Sequence, residues 1–333
     1  MKRIILYRIL WLVPIILIAS FGVFCLLRLG GSDPVMAYII HSGLPATPEL
    51  IEEITHNFGL DKPLLEQYVT WLCNALKLDF GISYMNGRSV STDFLYFLPN
   101  TLILVACGFG LTFLCSVPLG VVSVYYHNKL PDFFIRFFCF VGVSMPNFWL
   151  AFLLILFFSV YLGWLPAVGM EGAQSFILPS ISIALMSICI NARLIRANML
   201  EMQKERHIIY AKMRGVNGWR LHIKHIFYNA FLPILTAMGM HIGELIGGAL
   251  VIESVFALPG IGLYSIQGIA NHDYPVIQCF IVVLSFCFVL CNGMVDILYG
   301  LLDPRIRKQM EDIQSISKEK MQSFESIQKE GGV

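Results

Sequence analysis

Charge is what this sequence lacks. Of its 333 residues, 14% are Asp, Glu, Lys or Arg, where a soluble globular domain carries roughly a quarter. Hydrophobic residues make up 57%, and the mean hydropathy is +0.71. So few charges exclude a soluble domain and call for lipid as the solvent. The formal net charge is +1, which gives no bias toward nucleic acid. No Gly-x-x-x-x-Gly-Lys-[Ser/Thr] loop occurs, so the chain cannot cradle ATP in that way. Energy for any work must come from a separate ATPase or an ion gradient. His-Glu-x-x-His, Gly-x-Ser-x-Gly and paired intramembrane aspartates are missing too, which weighs against a membrane-embedded enzyme. The nine cysteines form no Cys-x-x-Cys pair, and no disulfide framework is expected. Cys287 and Cys291, one helical turn apart, read as small packing residues. No convincing cleavage site follows the first apolar run, so it reads as a retained helix rather than a signal peptide.

What is present is long apolar runs. Six are long enough to cross a bilayer: Ile9–Leu27, Asn100–Tyr125, Phe134–Leu162, Ile177–Ile195, Phe231–Phe256 and Val276–Tyr299. Prolines 14, 118, 146, 179 and 233 inside them predict kinks or helix starts. Residues 193–224 carry eight Lys or Arg against Glu201 and Glu205. The loops at 165–176 and 257–275 carry none. By the positive-inside rule, both termini and the 193–224 loop are cytoplasmic, and an even number of spans agrees. The expected class is an all-α integral membrane protein of six transmembrane helices. The first helix takes residues 1–29, and an extracytoplasmic helical segment takes 30–99. A five-helix core takes 100–304 with its cytoplasmic loop at 193–230, and a polar cytoplasmic tail takes 305–333. Within 30–99, Thr47 and Pro48 mark a helix start, and Leu50, Ile51, Ile54 and Phe58 recur at helical spacing. Gly59 is a candidate stop. Leu64 to Leu78 reads as a second amphipathic helix, so the segment forms a small cap on the outer face.

The basic loop has a pattern beyond its charge. Tyr210-Ala211-Lys212-Met213-Arg214-Gly215 precedes Leu232-Pro233 at the mouth of the next run. It resembles the cytoplasmic coupling loop of ABC importer permeases, although Ile209 and Tyr210 stand where Glu and Ala are usual and the interval to Pro233 is longer. The residues predict a helix over 208–214, a stop at Gly215, and a second helix entering the membrane. Ala211 would let a partner approach closely. Further strings extend the resemblance over about residues 1–310: Gly59-Leu60-Asp61-Lys62-Pro63-Leu64, Leu78-Asp79-Phe80-Gly81-Ile82-Ser83, Leu98-Pro99-Asn100-Thr101 and Leu302-Asp303-Pro304-Arg305. They are similar to the dipeptide, oligopeptide and nickel permeases. The strings at 142–152, 240–248 and 273–280 are similar to the nickel permeases of that family. The resemblance implies the MetI-like fold of type I importers. It also implies a second homologous permease, two ATPase subunits that bind ATP and Mg, an extracytoplasmic binding protein, and an inner membrane location. It implies no cofactor and no catalytic residue in this chain.

His241 and Glu244 lie in the fifth run, three residues apart and so near one helix face. Ionisable groups at that depth usually face a bundle interior or a water-filled path. Two readings stay open. They pack a helix interface beside glycines 239, 243 and 247, or they line a pathway and touch a divalent cation, since imidazole suits nickel. Met240 and Met145 are further candidate contacts, although methionine in an apolar helix usually packs. No stable metal site is expected, because a conducting path must release what it binds. His41, His56, His272 and Asp273 read as exposed polar loop residues. A gradient-driven transporter is the rival class, and it predicts an internal repeat that the sequence does not display.

Overall fold

The computed structural model describes the chain from residue 2 to 30 and from 33 to 302, with side chains left undescribed before Val13, after Met294 and at several positions from 232 to 242. The polar tail and the Leu302–Arg305 string beyond Leu302 therefore lie outside the described residues, as do the side chains of Leu232, Pro233 and Met240. The described residues are helical, with one isolated bridge between Ile82 and Ser89.

Helix α1 (Lys2–Leu29) leads to three cap helices, α2 (Pro34–Ser42), α3 (Pro48–Asn57) and α4 (Leu64–Ala75). α3 starts where expected: Thr47 accepts a bond from the Leu50 amide, Pro48 takes the first turn, and Gly59 follows with φ +64°. α2 was not legible as a helix. Its cap, Asp33, accepts from the amides of Val35 and Met36. Val35, Ile39 and Ile54 form the core between α2 and α3.

Helix α5 (Val90–Tyr125) begins ten residues before the expected boundary at Asn100, because Pro99 does not break it. The carbonyl that Pro99 frees belongs to Leu95, an exposed residue. The expected span over 134–162 is two helices, α6 (Leu130–Ser144) and α7 (Asn147–Leu154), the second extended by a π-helical stretch over Ile155–Tyr161. They meet at 104°. The cause is Pro146, which drives the preceding Met145 to extended backbone at φ −95°, ψ 120°. α8 (Ile177–Met202) follows a 3₁₀ turn and runs one to two turns past the expected end. α9 (Arg206–Met213), the short α10 (Gly218–Arg220) and a π-helical stretch over Leu221–Phe227 lead into α11 (Tyr228–Val255). The 257–275 region, read as a loop, contains α12 (Ile261–Ala270), too short to cross a bilayer. α13 (Tyr274–Leu302) closes the described chain.

Among the described residues, three helices are long and apolar enough to span a membrane, and two bent pairs raise this to five. α11, at 28 residues, occupies the remaining run. The bundle has two distinct ends. Tyr274 bonds the Leu27 carbonyl at 2.6 Å, so α1 and α13 meet beside the cap. α5 descends from the cap to Tyr125, whose ring packs on Trp219 and His222 at the far end. The cap end carries the acidic 30–99 segment and α12, and the opposite end carries the basic 193–224 segment.

Candidate functional site

α9 is held at the basic end by one face. Ile208 and Ala211 are buried against Val121, Val124, Ile195, Met199 and Ile226 of the bundle. The helix stops at Arg214, and Gly215 takes φ +85° with Val216 N donating to the Ala211 carbonyl at 3.1 Å. This is the glycine stop the sequence predicts. Ala211 corrects an expectation: its small side chain lets α9 approach the chain's own helices and does not point to a partner. The outward face belongs to Ile209, to Tyr210 at 62% exposure and to Met213 at 77%. Lys212 and Arg214 flank them, both exposed.

A buried charge network stands just before this loop. Asp132 of α6 is fully buried and takes two bonds from Arg196 of α8, both 2.9 Å. The Asn128 amide donates to it at 3.0 Å, and Ser123 donates as well. Arg136 lies 3.6 Å away. This fixes the α5–α6 turn to α8 one and a half turns before α8 ends. The sequence reading counted Arg196 as loop charge and missed its partner. The available signal was Asp132 alone beside an apolar run.

In α11, His241 Nδ1 lies 2.7 Å from Glu244 Oε2, so the three-residue spacing does bring them together. Their surroundings differ. The His241 side chain is 17% exposed and Glu244 is 66% exposed. Gly243 packs tightly on Phe288 of α13, where a Cβ would come within 2.5 Å of the ring, whereas Gly247 meets nothing. α11 therefore uses Gly243 inside the subunit and leaves Glu244 and Gly247 open. Met145 is half-buried at the α6–α7 break. The adjoining Asn147 amide reaches within 3.9 Å of a Cβ built on Gly248, one turn beyond Glu244. Among the described residues, no three His, Cys, Asp or Glu side chains converge as a metal-holding group.

The cap end holds buried carboxylates, among them Glu253 and Asp273. Glu253 is buried and accepts from Thr101 Oγ1 at 2.6 Å and from the Gly262 and Leu263 amides at 2.8 and 3.2 Å. It caps α12, and Thr101 in turn accepts from the Ile261 amide at 3.0 Å. Asn100 donates to the Pro259 carbonyl at 2.7 Å. The Leu98-Pro99-Asn100-Thr101 string thus holds the α11–α12 turn. A single carboxylate near the end of an apolar run was the signal. Asp273 is not an exposed loop residue. It is fully buried, with Ser83 Oγ donating at 2.6 Å and the Met85 amide at 3.1 Å. Burial pushes its carboxyl above the usual range, against the pull of those hydrogen bonds. His41 is also engaged, with Nε2 2.9 Å from Asn271 Oδ1. His272 sits exposed at φ +55°, and His56 is exposed as expected.

The model of the binding-protein-dependent transport system inner membrane component matches residues 116–308, and the model of the same system's N-terminal membrane component matches residues 1–105. A putative peptide transport system permease protein of Brucella abortus is 37% identical over 315 residues, covering 92% of this chain and 99% of its own. A metal-staphylopine import system permease protein of Staphylococcus aureus is 35% identical over 309 residues, with the same coverage. The glutathione transport system permease protein of Escherichia coli K12 is 34% identical over 307 residues, again covering 92% and 99%. In fold, the chain is similar to a chain of the inward-facing MetNI methionine ABC transporter, with a TM-score of 0.54 at 17% identity over 63% of this chain and 96% of that one. These relatives are permease components, not enzymes in themselves. The chain belongs to the inner-membrane components of binding-protein-dependent ABC transport systems, as a multi-pass permease subunit of the branch that contains peptide, glutathione and metal-chelate importers.

Proposed function

We propose that this subunit forms half of an import pathway for a small peptide or a chelated metal such as nickel, and that it is driven through α9. The observation that carries the coupling role is the outward face of α9. Ile209, Tyr210 and Met213 expose apolar area between Lys212 and Arg214 at the basic end of the bundle, and such area suits a protein partner. The partner is an ATPase subunit that binds ATP and Mg. Two such subunits, a second homologous permease and an extracytoplasmic binding protein complete the assembly. The cap then faces outward, and the basic end and both termini face the cytoplasm. Leu232 and Pro233 lead the chain back into the membrane behind the loop.

For cargo, relatives named for peptide, glutathione and metal-staphylopine transport support small polar molecules as the class. The His241–Glu244 pair, with Met240 and Met145 near it in sequence or at the α6–α7 break, supports transient contact with a cation or its chelate. Uptake of radioactive nickel and of a labelled dipeptide, measured side by side in cells that depend on this complex, decides the cargo. His241→Ala with Glu244→Ala should lower nickel uptake while the complex still assembles. Loss of assembly instead would assign the pair to a subunit interface. Substrate-stimulated ATP hydrolysis that survives Tyr210→Asp with Met213→Asp would refute the coupling role.

A further inference from the structure

The cap end contains a cleft of about 820 Å³ lined by residues of the 85–97 segment and by Tyr264 and Gln267 of α12. Its volume lies in the range of pockets that take small molecules, roughly 300–1,000 Å³. Asp93 stands in its wall at 7% exposure. One carboxylate oxygen, Oδ2, is fixed by Asn86 Nδ2 at 2.7 Å and by the Tyr264 hydroxyl at 3.1 Å. The other oxygen, Oδ1, receives no hydrogen bond among the described residues. Arg88, exposed, lines the same cleft and makes no ion pair among the described residues. Its amide is tied to Asn86 Oδ1 at 2.9 Å, which sets the backbone and leaves the guanidinium unengaged.

A positioned carboxylate and a guanidinium that line one cavity without pairing match a ligand that carries both charges. We propose that this cleft binds a small zwitterion: its ammonium meets Asp93 Oδ1, its carboxylate meets Arg88, and the Tyr96 and Phe97 rings flank the chain between them. Arg offers a forked donor pair suited to a carboxylate. An ammonium beside a buried carboxylate and aromatic faces is favoured by both. The inference rests on the importer reading and deepens it. The cleft is a first stop for cargo at the cap end, apart from the His241–Glu244 pair on α11.

The test uses the full-length subunit in lipid nanodiscs and equilibrium binding of radiolabelled trialanine, N-acetyl-trialanine, trialanine amide and the nickel–histidine complex. Trialanine should bind saturably, and blocking either terminus should weaken it at least tenfold. Asp93→Asn should weaken trialanine at least tenfold and leave the acetylated peptide unchanged. Arg88→Gln should do the same for trialanine and leave the amide unchanged. Nickel–histidine binding that responds to both variants assigns the site to chelates as well as peptides; a response to trialanine alone assigns it to peptides. Equal binding of blocked and free peptides, or no saturable binding of any probe, overturns the proposal. If Asp93→Asn misfolds, the exposed Arg88→Gln with the amide decides alone. ATP hydrolysis by the assembled transporter that still depends on Tyr210 and Met213 shows the importer reading intact, so a failure confined to binding belongs to the cleft.

Discussion

The two ends of the bundle treat charge in opposite ways. At the cap end, carboxylates are buried and braced: Glu253 caps α12, Asp273 ties the cap to the start of α13, and Asp93 is held through Oδ2 by Asn86 and Tyr264. At the basic end, charge is locked as far as the Asp132–Arg196 pair, and among the described residues no further ion pair lies in the 197–224 segment. Beyond it, α9 buries one face and exposes the other. There Tyr210 and Met213 stand exposed on α9, beyond the last locked charge. The difference separates what the subunit supplies by itself from what its assembly supplies.

The largest expected effect lies at the finished end. Glu253→Ala strands the Gly262 and Leu263 amides and should cost about 3 kcal/mol in thermal unfolding of the full chain in detergent, while Glu253→Gln should cost less. A neutral result would show that the cap end is not held by this carboxylate. Next comes Arg196→Met, which leaves Asp132 buried with its Ser123 and Asn128 bonds and with only the more distant Arg136 and His127 as cations. At most about 3 kcal/mol, the low end for a broken buried pair, should be lost in the same measurement, and no loss would move the boundary of the rigid region back along α8. Tyr210→Ser with Met213→Ser should change stability by less than about 0.5 kcal/mol, as exposed substitutions do, yet should abolish coupling of transport to ATP hydrolysis. A large stability loss there would erase the contrast between the ends. The smallest effect is a pH dependence at Asp273. Its folded pKa is raised by burial, so the folded state binds the proton more tightly than the unfolded one. Its contribution is whole below the ordinary carboxylate range and is lost as pH rises through the raised value. Opening free energies from hydrogen exchange at Met85 and Val276 should therefore fall over that window, and Asp273→Asn should flatten the trend.

Much of this was legible in the chain. Thr47, Pro48 and Gly59 bound α3 as their chemistry requires, and Gly215 ends α9 at positive φ, because these signals act within one turn of backbone. The His241–Glu244 contact followed from helical spacing alone. Other features were not legible. Pro118 and Pro146 are both prolines inside apolar runs, yet α5 passes through the first and the α6–α7 pair bends by 104° at the second, where Met145 takes extended backbone. Asp273 looked like a loop residue because its partners, Ser83 and Met85, stand about 190 positions earlier.

By itself, the sequence determined that the chain lives in lipid, which end of the bundle carries positive charge, and where α9 stops. These follow from composition, loop charge and local backbone chemistry, all of which are summed along the chain. Only the tertiary structure decided which face of α9 is free, that Ala211 packs inside the subunit, and that the scattered acids Asp93, Asp132, Glu253 and Asp273 are buried and hydrogen-bonded. Those outcomes depend on pairs of residues far apart in sequence, and a buried charge is intelligible only once its partners are in place.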